Sequence, residues 1–384
     1  MNGADESERR EIALYIHIPF CLRRCAYCDF NAYADPGPAF RRRYHQALLE
    51  DISRSAAEAD YVLRTVYIGG GTPSLCPVSW LAEILDACRG HFVWREGIEV
   101  SIEANPGTVD YDVLRGLRDI GINRLSLGVQ SLDDSLLTLL GRVHDRRAAA
   151  EGVRSAYKAG FANVSVDLMY GLPRQTAEIM KTTLAEVLSW RPQHISAYAL
   201  SVEEGTPLQR SIASGLYRLP GEEEEEAVER VLREDLSAAG YDHYEISNWS
   251  LPGYECRHNI VYWENGEYLG IGCGAVSYLR GWRFSRCRDP RKYIDGVRAG
   301  QTPAVSGERL GKEARLRETM MLGMRLARGL DLAALAGRFS VAEEDLRKIW
   351  SAVPAEFVET EGSRIRFTQS GWDLSNEVFV RYLM

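Results

Sequence analysis

Three cysteines fall within eight residues, Cys21, Cys25 and Cys28, at the spacing C-x3-C-x2-C. Thiolates this close in sequence select soft metals. Structural zinc takes four closed ligands, usually as two separated pairs, so it would need a fourth ligand from elsewhere. A cube of four irons held by only three cysteines keeps one iron open to an outside ligand. Spacing alone leaves both open. A disulfide scaffold does not fit, because eight cysteines in 384 residues are sparse and the N-terminus lacks a signal-peptide pattern.

The elements that must hold these residues are legible around them. The apolar run from Ile12 to Ile18, rich in β-branched and aromatic residues, reads as a buried strand, and Pro19 ends it. The cysteines then sit on a loop past a strand end, the edge of a parallel sheet where ligands bind. The residues before it, 1–11, are polar and read as a tail.

Helical spacing over 40–59 leads to a second strand, Thr65–Ile68, which runs into Gly69-Gly70-Gly71-Thr72-Pro73. Glycines there let backbone N–H groups approach a ligand closely; a tight bend accounts for them equally well. No Lys-Ser/Thr follows, so the turn is not a phosphate-binding P-loop. The unit then repeats. Helices are expected over 80–91, 110–120, 146–159 and 176–190, and strands over 98–103, 124–130, 163–169 and 194–200.

Six strands alternating with helices imply an α/β fold with a parallel sheet. Six units are too few for a closed eight-stranded barrel, so a partial (βα)6 TIM-like barrel is expected. Every strand but the last has a polar or glycine residue near its C-terminal end: the cysteine loop, Gly70 and Gly71, Glu103, Gln130 and Asp167. That placement points to one shared site.

Downstream, 220–240 reads as a helix whose five leading glutamates suit the N-terminal dipole. One strand is expected over 241–249, a glycine-rich turn or close-packed segment over 268–275, and a linker over 290–303. Helices over 308–328 and 332–350, then a hairpin over 357–367 around Gly362, suggest a small winged-helix-like C-terminal domain. A net charge of −8 argues against a nucleic-acid reader. No apolar run approaches the ~20 residues of a membrane-spanning helix.

At this point the motifs carry a resemblance. Cys21-x3-Cys25-x2-Cys28 after a strand, with Gly69-Gly70-Gly71-Thr72-Pro73 on the next, resembles the radical S-adenosylmethionine superfamily. Tyr15-Ile-His-Ile-Pro-Phe-Cys21 and Asp167-Leu-Met-Tyr-Gly-Leu-Pro173 narrow the similarity to its coproporphyrinogen dehydrogenase (HemN-like) branch, over essentially the whole chain from Tyr15. The resemblance implies that Cys21, Cys25 and Cys28 hold a [4Fe–4S] cluster whose fourth iron takes the amino and carboxylate groups of S-adenosyl-L-methionine. It also implies that Tyr15, Gly70, Gly71, Thr72, Glu103, Gln130, Arg142 and Asp167 line the nucleotide site, with Tyr27 shielding the cluster. Their chemistry agrees: Glu103 can pair with an ammonium, Arg142 with a carboxylate, and Asp167 with a ribose hydroxyl.

Two departures separate the chain from the porphyrin-precursor oxidases. Phe30 stands where those enzymes carry a further cysteine, and only 14 residues precede Tyr15, where they tend to have a longer segment. In both respects the chain is similar to the HemW-type heme chaperones, as it is in the stretch His258-Asn259-x-x-Tyr262-Trp263, which in that family is associated with heme. The resemblance makes His258 the expected axial ligand, Cys256 an alternative, and Tyr262 and Trp263 flanking groups. A buried corner in which His258 bonds the backbone is the structural alternative.

The implied protein is cytoplasmic. It binds heme and delivers it to acceptor proteins such as respiratory enzymes, draws on an electron donor for its cluster, and allows a homodimer. Oxygen-independent coproporphyrinogen III oxidation is the alternative activity. The expected organisation is a tail (1–14), a radical S-adenosylmethionine core (15–240), an extension with the heme-associated stretch and linker (241–304), and the C-terminal domain (305–384).

Overall fold

The computed structural model describes residues 10–56, 61–301 and 304–383. The apolar runs become six parallel strands: β1 Arg10–Ile18, β2 Tyr61–Gly70, β3 Val93–Ala104, β4 Arg124–Gln130, β5 Val164–Tyr170 and β6 His194–Ala199. Each pairs in parallel with the next. The intervening helices are α1 Pro38–Ala56, α2 Val78–His91, α3 Tyr111–Asp119, α4 Asp134–Leu140, α5 Arg146–Lys158 and α6 Ala177–Ser189. The apolar faces of α1, α2, α3, α5 and α6, Leu48, Leu85, Leu117, Val153 and Leu184 among them, join the sheet in one core, while Leu136, Leu139 and Leu140 of α4 pack in a smaller cluster with Met169, Leu172 and Leu208. The partial barrel expected from six βα units is the one found.

After β6 come α7 Pro207–Ala213, α8 Glu222–Ala238, β7 Asp242–Glu245 and β8 Asn248–Ser250, then α9 Arg257–Trp263 and β9 Tyr268–Ile271. Strands β10 Val276–Leu279 and β11 Trp282–Arg286, helix α10 Pro290–Arg298 and strand β12 Ala304–Arg309 follow. The full sheet has 12 strands in the order β12-β11-β10-β9-β1-β2-β3-β4-β5-β6-β8-β7. Strand β9 lies parallel to β1, so the chain returns across its own start. The sheet stays open, with β12 and β7 as its edges.

Several expectations need correction. Strand β1 begins at Arg10, and Ile12, Ala13 and Leu14 are fully buried, so residues 10–14 belong to the sheet and not to a tail. Residues 1–9 and the expected helical residues 57–59 lie outside the described residues. The single strand over 241–249 is a hairpin, β7 against β8. The linker over 290–303 contains α10, capped by Asp289, whose carboxylate accepts from the Arg291 and Lys292 N–H groups. Its Tyr293, Ile294 and Val297 are buried, an amphipathic pattern hidden between a proline and a glycine. Helix α4, not expected, is set by Asp133 at its start and by Gly141 at φ 72° at its end.

Beyond Arg309 the chain builds a second core. Helix α11 Lys312–Gly323 is shorter than expected at both ends: β12 takes residues 308 and 309, and the helix stops at Gly323, with Met324 as its cap. The expected helix over 332–350 is two, α12 Leu332–Phe339 and α13 Glu343–Ser351, broken at Ser340 with φ 47°. A three-stranded sheet, β13 Leu330–Asp331, β14 Val358–Glu361 and β15 Arg364–Phe367, includes the expected hairpin. Met320, Phe339, Trp350 and Phe367 form its centre.

Candidate functional site

The cysteine loop is held in place by backbone bonds to three other elements. Phe20–Cys21 pairs with Tyr33–Ala34. The Thr72 N–H reaches Phe20 O at 2.9 Å, the Ala26 N–H reaches Leu140 O at 2.9 Å, and Ala26 O accepts from the Leu208 N–H at 2.9 Å. The loop therefore rests on the end of β2, the C-terminus of α4 and the start of α7. Cys21, Cys25 and Cys28 all line one cleft of about 430 Å³. Burial raises the Cys21 thiol to about 11 and raises Cys28 as well. Arg142 donates to Cys25 Sγ at 3.4 Å, and its Nε has no partner among the described residues.

Glycines bring the floor close. A Cβ on Gly71 would stand 2.8 Å from Phe20 O and 2.9 Å from Cys21 Sγ, and one on Gly69 would stand 2.9 Å from Glu103 Oε1. Gly70 has φ +123°, a conformation side chains rarely adopt. Its N–H donates to Glu103 Oε2 at 2.9 Å, and Tyr67 Oη donates to Oε1 at 3.0 Å. Burial raises the Glu103 carboxyl to about 7, against the pull of those two donors.

The other expected residues divide. Tyr27, Gly70, Gly71, Gln130, Arg142 and Asp167 line the cleft with the cysteines and Glu103. Gln130 sits at φ 68°, strained backbone of the kind concentrated at functional sites. Asp167 accepts from Ser126 Oγ at 2.9 Å, and burial raises its carboxyl. Thr72 is buried behind the cleft, accepting from Asn105 Nδ2 at 2.8 Å. Tyr15 lines a second chamber of about 680 Å³, which shares Asp29, Phe30, Gly70 and Glu103 with the cleft.

His258 lines neither space. Glu99 of β3 fixes α9 by accepting from the Arg257 and His258 N–H groups. The ring stacks on Tyr67, with Nδ1 at 2.8 Å from Thr65 Oγ1 and Nε2 at 2.9 Å from Tyr262 Oη. Burial, then the Arg124 charge, lowers it to about 3, so it is neutral. It is thus a buried corner, though its partners are side chains and not the backbone carbonyl expected. Cys256 is fully buried and Trp263 sits beside the Glu245 carboxyl. Of that stretch, Tyr262 is the residue that reaches the second chamber.

Sequence reasoning missed Asn105, Tyr67 and Tyr198. Asn105 lies two residues past Glu103 and could have been read from that spacing. Tyr198, with Ser201 and Glu203, brings the last strand into the cleft, so all six strand ends contribute. Among the described residues no three His, Cys, Asp or Glu side chains converge on a single ion. Cys21, Cys25 and Cys28 all border the one cleft. The unpartnered Arg142 Nε and the glycine floor fit a carboxylate-bearing ligand beside them.

Three thiols at the mouth of an incomplete parallel barrel, over a glycine floor and a carboxylate, define a radical S-adenosylmethionine protein. The family model described as the Radical SAM superfamily matches residues 15–187, and that of the HemN C-terminal domain matches residues 310–374. Heme chaperone HemW of Mycobacterium tuberculosis is 39% identical over 376 residues, covering 97% of this chain and 94% of its own. That of Lactococcus lactis is 35% identical over 372 residues, covering 96% and 97%. The chain belongs to the HemW family. The solved structure of Escherichia coli coproporphyrinogen III oxidase (HemN) shares the fold, with a TM-score of 0.85 at 23% identity over 98% of this chain and 91% of that one.

Proposed function

We propose that this chain is a heme chaperone: it takes up heme as cargo, carries a [4Fe–4S] cluster with S-adenosyl-L-methionine, and passes the heme to acceptor proteins. The observation that carries the reading is the near full-length match to relatives named heme chaperones. Phe30, 70% exposed at the junction of the two spaces, supports it, since the porphyrin-precursor oxidases have a cysteine there.

Cys21, Cys25 and Cys28 would hold the cluster. When bound, the cluster supplies an electron and an open iron for the nucleotide. Glu103 takes the nucleotide's ammonium, Arg142 its carboxylate, and Asp167 a ribose hydroxyl. Tyr27, held near Arg142, keeps water from the cluster side. An electron donor, a cytoplasmic location and a homodimer belong to the same reading. All eight cysteines are unpaired, which suits a reducing compartment. Among the described residues no helix is long and apolar enough to cross a membrane.

The test is anaerobic reconstitution followed by heme titration. The expected result is a stable heme complex and no protoporphyrinogen from coproporphyrinogen III. Turnover of coproporphyrinogen III with no heme complex would instead make the chain an oxidase, the second reading, for which the shared HemN fold is the support.

A further inference from the structure

The second chamber bears on which atom receives the heme iron. At about 680 Å³ it falls within the ~300–1,000 Å³ of small-molecule sites. Tyr15, Phe30, Tyr262 and Tyr268 give it aromatic walls. Arg288 lines it too, with no hydrogen-bond or ion-pair partner for its guanidinium among the described residues. A flat, largely apolar ligand with carboxylates on one edge suits that space.

Most polar groups bordering it are already committed. His17 bonds Tyr15 Oη at 3.0 Å through Nδ1 and Asn31 O at 2.9 Å through Nε2. Glu103 holds Gly70 and Tyr67 and faces the nucleotide side. The Tyr268 hydroxyl pairs with Arg283. The Tyr262 hydroxyl bonds His258 Nε2, as Tyr15 bonds His17; but His17 itself borders the chamber, whereas His258 lines neither it nor the cleft and so leaves Tyr262 as the group of that pair that meets a ligand there. The Tyr262 ring is steadied edge-on by Tyr268 at 4.7 Å.

Resting on the chaperone reading, we infer that Tyr262 is the protein ligand to the heme iron. His258 is a positioning residue that holds the Tyr262 phenol, and Arg288 meets a heme propionate. Tyrosinate is an established axial ligand of ferric heme. Incoming ferric heme carries hydroxide on its iron; the iron–hydroxide bond breaks, the iron–phenolate bond forms, and the hydroxide leaves as water with the phenol's proton. No electron moves.

The experiment is titration of the full-length protein with ferric heme, followed by absorbance, electron paramagnetic resonance and resonance Raman. Wild type should give a high-spin ferric spectrum with phenolate-to-iron charge transfer. Tyr262→Phe should lose the phenolate signature and at least tenfold in affinity, with circular dichroism unchanged. His258→Gln should keep the signature with shifted phenolate modes, and Arg288→Ala should weaken binding several-fold with the spectrum intact. An unchanged spectrum in Tyr262→Phe, or a low-spin imidazole spectrum that His258→Gln abolishes, would overturn the ligand assignment and leave the chaperone reading standing. Wild type that takes up no heme would overturn both.

Discussion

Glu103 shows how far single residues carry the chemistry. Its carboxylate is half-buried on the cleft wall, held by one N–H and one phenol, and kept close to the backbone by the missing Cβ of Gly69. Its folded value, about 7, lies above the ordinary 4.5. Between those values the native state holds more protons than the unfolded one, so this group's contribution to stability falls as pH rises through the interval. An ammonium ligand reverses the preference, so nucleotide affinity should rise as pH climbs through about 7, as calorimetry can follow. Glu103→Gln should flatten that profile and weaken binding by ~1.5–3 kcal/mol, the range for a charged hydrogen bond. A Gln variant with the wild-type profile would remove Glu103 from the role. Gly71→Ala makes a separate claim: its Cβ meets backbone and Cys21 Sγ, so reconstituted iron content should drop while the fold persists. The cysteines, Glu103 and Asp167 were legible because strand ends converge on one edge. His258 was not, because sequence does not say which way a helical residue turns, and α9 turns it against Tyr67.

At the scale of elements, periodicity identified all six parallel strands but failed where an element is defined by distant partners. Helix α10 is the clearest case. Its place is set by Tyr293, whose hydroxyl donates to Asp51 of α1 at 2.7 Å, and by Arg286 of β11, which pairs with the same carboxylate at 3.0 Å. Asp51 and Arg286 are both 3% exposed, and Arg286 also donates to Gly270 O. Nothing within 290–303 announces a contact with residue 51, so a segment bounded by proline and glycine reads as a linker. Removing one partner of a buried pair leaves the other charge uncompensated, at a cost of about 3–5 kcal/mol. Asp51→Ala should therefore lower unfolding stability by that order in urea. Asp289→Ala, which removes only the cap of α10, should cost ~1 kcal/mol. Equal losses in the two variants would mean that the Asp51–Arg286 pair does not anchor the helix.

Across the whole molecule, α9 is one of the places where the barrel and the C-terminal domain meet, beside the hairpin contacts of His243 with Trp372 and of Glu245 with Leu326. Glu99 of β3 holds the N-terminus of α9. Its C-terminus is held from the other domain: Arg338 of α12 donates to Glu264 O at 2.8 Å and to Asn265 O at 2.6 Å, and Asn265 donates to Thr319 of α11 at 3.0 Å. The domain that looks like a remote appendage in the sequence thus fixes the helix that presents Tyr262. The cysteine cleft takes nothing from it: every residue lining that cleft lies between Cys21 and Glu203. If Tyr262 receives the heme, the two ligands should respond differently to a change at this junction. Arg338→Ala leaves two helix-end carbonyls without their donor and frees the last turn of α9. Heme affinity should fall about tenfold, equivalent to ~1.4 kcal/mol. Iron content and S-adenosyl-L-methionine affinity should stay at wild-type levels. Parallel loss of heme and nucleotide binding would mean that Arg338 supports the fold as a whole, and unchanged heme binding would mean that α9 needs no support from the second domain to hold its cargo.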